Sequence, residues 1–164
     1  MLLQAGRPGN ATPALLAAVE RLGIGDHIRF LDVRTDVPEL LALSQVFVSS
    51  ARYEGFGGAV LEAMASGTPV VGFEIGPVAE VLHGTGTLVP LGDVAGLAAA
   101  IGEVLDDPER AAAMGAASLA EARGRFSADA VAARLVQLYR DVVTDRTRFP
   151  LPPLTRFVRR VRRR

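Results

Sequence analysis

Ser49-Ser50-Ala51-Arg52-Tyr53-Glu54-Gly55-Phe56-Gly57-Gly58-Ala59-Val60-Leu61-Glu62-Ala63-Met64-Ala65-Ser66-Gly67-Thr68-Pro69-Val70-Val71 is the stretch from which the rest of the chain can be read. It scans as the end of a strand, a glycine-rich turn, a short helix and a second, buried strand. A glycine-rich turn that opens a helix leaves backbone N–H groups without intrahelical partners, and those groups suit a phosphate or another anion. Two carboxylates, Glu54 and Glu62, bracket the turn. They cannot favour an anion electrostatically. An ionised carboxylate accepts hydrogen bonds only, so sugar or ribose hydroxyls are its natural partners. Gly55, Gly57 and Gly58 suit a tight turn, and that role is compatible with close approach of a ligand.

Outward from this stretch, apolar runs alternate with helical patterns. Met1 to Ala5 reads as a short buried strand that ends at Gly6-Arg7-Pro8-Gly9. Thr12-Pro13 reads as a helix start with Thr12 as N-cap and Pro in the first turn. Leu15, Leu16, Val19 and Leu22 then recur at helical spacing, and Gly23 stops the helix. His27 to Leu31 is a second strand. Asp36, Pro38 and Glu39 suggest a capping box for a short helix to about Ser44. Val46-Phe47-Val48 is the third strand, Pro69 to Phe73 the fourth, and Thr87-Leu88-Val89 a brief fifth. A turn at Gly76-Pro77 opens a short helix that contains Glu80. From Asp93 the chain reads as three helices: Asp93 to Leu105, Pro108 to about Gly124, and Ser127 to about Val143. Val131, Leu135, Leu138 and Val142 form an apolar stripe on the last.

Strands that alternate with helices imply parallel pairing through right-handed crossovers. The expected fold is therefore α/β, an open Rossmann-like parallel sheet with helices on both faces and a helical C-terminal part. Ligands of such sheets sit at the carboxyl ends of the strands, and the glycine-rich turn occupies that edge.

Composition narrows the function classes. The 164 residues carry no net charge, which argues against a general polyanion partner, nucleic acid included. All 18 basic residues are Arg. Cysteine is absent, so disulfides, thiolate metal sites and a Cys nucleophile are excluded. His27 and His83 are far apart and form no metal-ligand pattern; structural or surface roles are expected for both. No apolar run has the length that spans a bilayer, and the start lacks a basic stretch followed by an apolar one. A cytoplasmic location is expected. Residues 146–164 hold eight arginines and the run Phe149-Pro150-Leu151-Pro152-Pro153-Leu154. Closely spaced prolines exclude helix and central strand, so two parts are expected: a domain over 1–145, then a connector and basic tail over 146–164. A basic tail with apolar interleaving is either a solvated extension or a contact with an anionic membrane surface, at the inner face of the membrane.

Taken together, Glu-Gly-Phe-Gly from Glu54, Leu-Glu-Ala-Met-Ala from Leu61 and Gly-x-Pro-Val-Val from Gly67 resemble the donor-binding half of GT4-type retaining glycosyltransferases of the GT-B fold. Glu54 and Glu62 carry that family's Glu-x7-Glu spacing, with seven residues between them. The strand at Arg29-Phe30-Leu31, the turn Gly76-Pro77-Val78-Ala79-Glu80, the run Gly86-Thr87-Leu88-Val89-Pro90 before Asp93, Phe126-Ser127 and Tyr139 extend the resemblance over about residues 1–143. It implies a nucleotide diphosphate sugar as donor, Glu54 as the catalytic-site residue on the sugar, and Glu62 on the ribose. Backbone at Gly55, Phe56, Gly57 and Gly58 would face the diphosphate. No cofactor and no protein-bound metal are implied.

Two departures accompany the resemblance. The family half-domain opens with an earlier strand and helix that carry an Arg and a Lys, whereas this chain begins at what resembles the following strand and has no Lys. The acceptor-binding domain that forms the other wall of the cleft is also absent, so an N-terminally truncated domain is implied, inactive in transfer until completed. Arg7 is a candidate to stand in for the missing cation, against an ordinary solvent-facing loop Arg. Pro77 replaces the second Gly of the family turn and removes one N–H. The alternatives are a non-catalytic nucleotide-sugar-binding or structural remnant, and a GT-B epimerase of UDP-N-acetylglucosamine; the order of the central motif favours the transferase.

Overall fold

A computed structural model describes residues 1–144 of the chain. The connector and basic tail expected over 146–164 lie outside the described residues.

All five expected strands form: β1 (Leu2–Gln4), β2 (Ile28–Phe30), β3 (Phe47–Ser49), β4 (Val70–Phe73) and β5 (Thr87–Val89). Between and after them come α1 (Thr12–Leu22), α2 (Val37–Leu43), α3 (Gly58–Ala65), α4 (Gly76–Leu82), α5 (Val94–Asp106), α6 (Pro108–Phe126) and α7 (Ala128–Thr144), with a 3-10 turn at Gly25–His27 before β2. Pairing is parallel throughout, as the alternation of strands and helices requires. The strands form two ladders rather than one, however. β1 pairs with β2, and β3, β4 and β5 lie in that order in a second sheet.

The three-stranded sheet holds the core. β4 is buried at all four positions, and its alternation sends Val70 to one face and Val71 and Phe73 to the other. Val70 joins Val60, Ala63 and Met64 of α3, Val78, Val81 and Leu82 of α4, and Ala122 of α6. Val71 and Phe73 meet Leu97, Ala100 and Val104 of α5. Helices thus cover both faces. A buried hydroxyl pins α2 to this core: Thr68 Oγ1 donates to the carbonyl of Leu41 at 2.7 Å. On the far side of α3, a Cβ at Gly115 would lie 2.1 Å from the carbonyl oxygen of Gly67. Only glycine lets α6 come this close to the turn before β4.

Helix ends follow the sequence in part. Gly23 is left-handed at the end of α1 (φ 65°), and its N–H returns to the carbonyls of the last turn. Asp93 caps α5 by accepting from Gly96 N at 2.8 Å, and Ser127 Oγ accepts from Ala130 N at the start of α7. Two expected caps are corrected. Thr12 is the first helical residue, not the N-cap; its hydroxyl accepts from Gly9 N while Gly9 O accepts from Thr12 N, so the side chain closes the preceding turn. Asp36 makes no cap to α2, and Glu39 completes no capping box, because both Asp36 oxygens are held by Arg34 at 2.8 and 2.5 Å. The hydrogen bond to Arg34 holds the Asp36 carboxyl below its ordinary range, and Asp36 in turn raises the guanidinium. The apolar stripe of α1 buries Val19 alone, and that of α7 buries none of its members.

Candidate functional site

The strands of the three-stranded sheet run parallel, so the loops after β3 and β4 leave the same edge, and α3 and α4 both begin there. The loop between Ser49 and α3 carries the central motif. Its last residue, Gly57, is the N-cap of α3 in the left-handed region (φ 96°), a conformation that costs a residue with a Cβ. No side chain caps α3. Among the described residues the N–H groups of Gly57, Gly58 and Ala59 find no backbone acceptor either. The first turn of α3 therefore presents unpaired donors at the carboxyl edge of the sheet, where the helix dipole also favours negative charge. Gly55 and Gly58 face open space: a Cβ on either would meet nothing within 4 Å.

The two carboxylates sit differently. Glu54 is half-buried, and its Oε1 accepts from the N–H of Gly55 at 3.0 Å and, less closely, from that of Phe56 at 3.5 Å. It folds back on its own loop and occupies donors that the sequence assigns to a diphosphate. Glu62 is exposed on α3, one turn beyond Gly58. Val60, Ala63 and Met64 face the core, so Gly58 and Glu62, four apart, share the outward side of the helix. Their separation along the axis is about 6 Å. One extended ligand can meet a backbone donor at Gly58 and an acceptor at Glu62.

Phe56 ties this loop to the far end of α6. Its ring meets the Phe126 ring edge-on, with centroids 6.1 Å apart at 73°, and the Arg125 guanidinium lies 5.0 Å from the Phe126 centroid. Arg125 also donates to Glu121 and to the carbonyl of Glu80. His83 Nδ1 is 3.1 Å from the same Glu121 oxygen. A chain of aromatic and ionic contacts thus connects the loop tip, the end of α4 and the end of α6. Sequence reasoning missed it: Phe126 stood only among the positions of the family resemblance, with nothing in the spacing to pair it with Phe56. Glu80 and His27 are exposed, and His83 is a surface residue with φ 48°. Arg7 lines a separate cavity of about 170 Å³ at the carboxyl ends of β1 and β2, together with Gln4, Gly6, Phe30 and Asp32. Among the described residues, no group of three or more His, Cys, Asp or Glu side chains could hold a metal ion, and no helix is long and apolar enough to cross a membrane.

Comparison with known proteins agrees with this geometry. The N-acetyl-alpha-D-glucosaminyl L-malate synthase of Bacillus anthracis is 35% identical over 133 residues, which is 80% of this chain and 35% of that protein. A sucrose-phosphate synthase structure from Thermosynechococcus elongatus superposes with a TM-score of 0.78 at 30% identity, covering 87% of this chain and 38% of the other. The structure of Anabaena HepE in complex with UDP and glucose superposes with a TM-score of 0.76 at 27% identity, over 85% and 40%. The chain thus spans little more than a third of the length of these relatives. A family model described as "Glycosyl transferases group 1" matches residues 1–107. With the Rossmann-like sheet and the glycine-rich opening of α3 between two glutamates, the chain belongs to the group 1 glycosyl transferases and has the Rossmann-like architecture of one part of their GT-B fold.

Proposed function

We propose that this chain is the donor-binding part of a retaining GT4-type glycosyltransferase and takes a nucleotide diphosphate sugar over the carboxyl edge of the three-stranded sheet. One observation carries the proposal: the unpaired N–H groups at the start of α3 lie between Glu54 in the loop and Glu62 one turn along the outward face. In this reading the donors at Gly57 and Gly58 meet the diphosphate, and Glu62 accepts from the ribose hydroxyls. Glu54 leaves the N–H groups of Gly55 and Phe56, which then turn to the diphosphate, and accepts from the sugar. As the glycosyl bond breaks, negative charge grows on the leaving diphosphate and positive charge on the sugar ring. Fixed backbone dipoles aimed at the first, with a carboxylate near the second, lower the barrier. The proposal that no protein-bound metal takes part rests on the family resemblance alone.

Transfer itself needs an acceptor-binding domain in the same or another polypeptide. We place the protein in the cytoplasm, with the arginine-rich segment after residue 145 as the part suited to an anionic membrane surface.

Calorimetry of the chain with UDP, GDP and UDP-glucose tests donor binding. Heat with at least one ligand is expected. Glu62→Ala should weaken nucleotide binding roughly tenfold or more, the effect of one hydrogen bond to a charged group. Glu54→Ala should weaken UDP-glucose relative to UDP by a similar factor, while UDP itself binds no more weakly, because the N–H groups of Gly55 and Phe56 are then free. Absence of heat with every nucleotide at millimolar concentration would sink the reading in favour of a structural remnant.

A further inference from the structure

The loop that carries the candidate site is tied to the rest of the chain by little. Among the described residues, no backbone hydrogen bond joins residues 50–56 to another element. The hydrogen bonds of the loop run from the Gly55 and Phe56 N–H groups to Glu54, within the loop itself. Of its two aromatic rings, Tyr53 stands in solvent, 90% exposed. Phe56 lies against Phe126 instead. Where that ring rests therefore bears directly on where the neighbouring N–H groups point.

The other side of the contact is fixed. Phe126 is the last residue of α6 and packs against the core cluster that α3 and α4 share. Arg125 lies over its ring, donates to Glu121 one turn back at 2.8 Å and reaches the carbonyl of Glu80 on α4 at 3.3 Å. Arg134 of α7 donates to the carbonyl of Arg125. Farther back on α6, Ser118 Oγ donates to the carbonyl of Thr85 at 3.2 Å, and Gly115 lies against Gly67. α6 is thus bound along its length to the elements around the three-stranded sheet and offers one ring to the loop. A loosely tied segment that rests on a fixed ring takes its position from that ring.

We propose that Phe126 is a positioning residue for the donor site: through the ring of Phe56 it holds the N–H groups of Gly55 to Gly58 in the direction a diphosphate needs, without meeting the ligand itself. This rests on the donor-binding reading above. Backbone dipoles serve a charged ligand best when they are already in place before it arrives, because no binding energy is then spent on ordering them. The anchor also separates two movements. Glu54 can leave the N–H groups of Gly55 and Phe56 by turning its side chain, while the backbone beneath it stays where Phe126 holds it.

Calorimetry and nuclear magnetic resonance on the whole chain test this together, with whichever of UDP and GDP gives heat. Phe126→Leu keeps an apolar side chain at the rim of the core and removes the ring. It should weaken nucleotide binding about threefold or more, because affinity falls with the fraction of molecules whose loop is in place. Phe126→Tyr keeps the ring and should bind as the unmutated chain does. Phe56→Leu keeps every N–H and should weaken binding by the same factor as Phe126→Leu, and the double variant should lose no more than either alone. In the ligand-free chain, amide order parameters of Gly55 and Phe56 should fall from the rigid value of about 0.85 to below about 0.6 in Phe126→Leu, with those of β4 unmoved. If Phe126→Leu disturbs β4, Phe126→Met fills the rim in its place and is read in the same way.

Undiminished affinity or undiminished loop order in the ring-less variant would overturn the proposal. So would additive losses in the double variant. Weaker binding in Phe56→Leu alone would also overturn it, because that ring would then meet the ligand directly. If the unmutated chain binds no nucleotide, the donor reading falls, and loop order alone decides the anchor: lost order in Phe126→Leu supports it, and retained order overturns it.

Discussion

The unit β1–α1–β2 and the unit from β3 to β5 start from similar sequence and reach different states. Each has apolar strands and an amphipathic helix between parallel partners. Yet every member of the two core clusters lies between Val37 and Phe126, and none comes from β1, α1 or β2. In the second unit, α3, α4 and α6 cover one face of β4 and α5 the other. In the first, Leu15, Leu16 and Leu22 of α1 remain exposed, and Val19 and Ile28 alone are buried among its apolar residues. Apolar pattern thus specifies which side of an element is offered to a core. Whether a core forms there depends on a second layer being present.

The largest effect that could break this comparison is a pair of truncations. Met64→Ala, at a position with no accessible surface, should cost about 2–5 kcal/mol by lost transfer energy and a cavity. Leu3→Ala, 43% accessible, should stay within about 0.5 kcal/mol. Urea titration measures both, and equal losses would show that the first unit packs as tightly as the second. Gly115→Ala comes next. Its methyl would press on the Gly67 carbonyl, a backbone atom that cannot turn aside, at an expected cost of about 1–3 kcal/mol. A neutral result would mean that α6 can slide away from α3.

The smallest effects contrast two aspartates. Asp93→Ala should cost about 1 kcal/mol, since its carboxylate caps α5. Asp36→Asn should leave the urea midpoint at pH 7 unmoved, because Asp36 caps nothing and its bond to Arg34 is solvent-screened. Its folded carboxyl titrates below the ordinary range. Any stabilisation is therefore present above that range and disappears as pH falls through the lowered value. A stability curve whose acid limb shifts in Asp36→Asn would show that the bond to Arg34 escapes that screening.

The fold was legible because strand and helix periods alternate cleanly, and all five strands appear where their apolar runs stand. The loop of the candidate site was legible for the same reason: glycines at 55, 57 and 58 announce a turn, and the turn must open α3. Three things were not legible. The posture of Glu54 against the N–H groups of Gly55 and Phe56 is a side-chain choice that spacing cannot encode. The Arg34 bond that takes Asp36 from α2 is a local competition between two acceptable partners. The contact of Phe56 with Phe126 joins residues seventy positions apart through tertiary packing.

That last contact has an optical consequence. The 164 residues include no tryptophan, so the protein is silent in the red half of the near-ultraviolet emission band. Phe56→Trp would place one indole at the tip of the loop, against the Phe126 ring and near the Arg125 cation. Movement of the loop away from α6 would carry the fluorophore from a ring face and a fixed charge into water. Its emission maximum would then report the position of the loop directly, without a ligand label and without turnover.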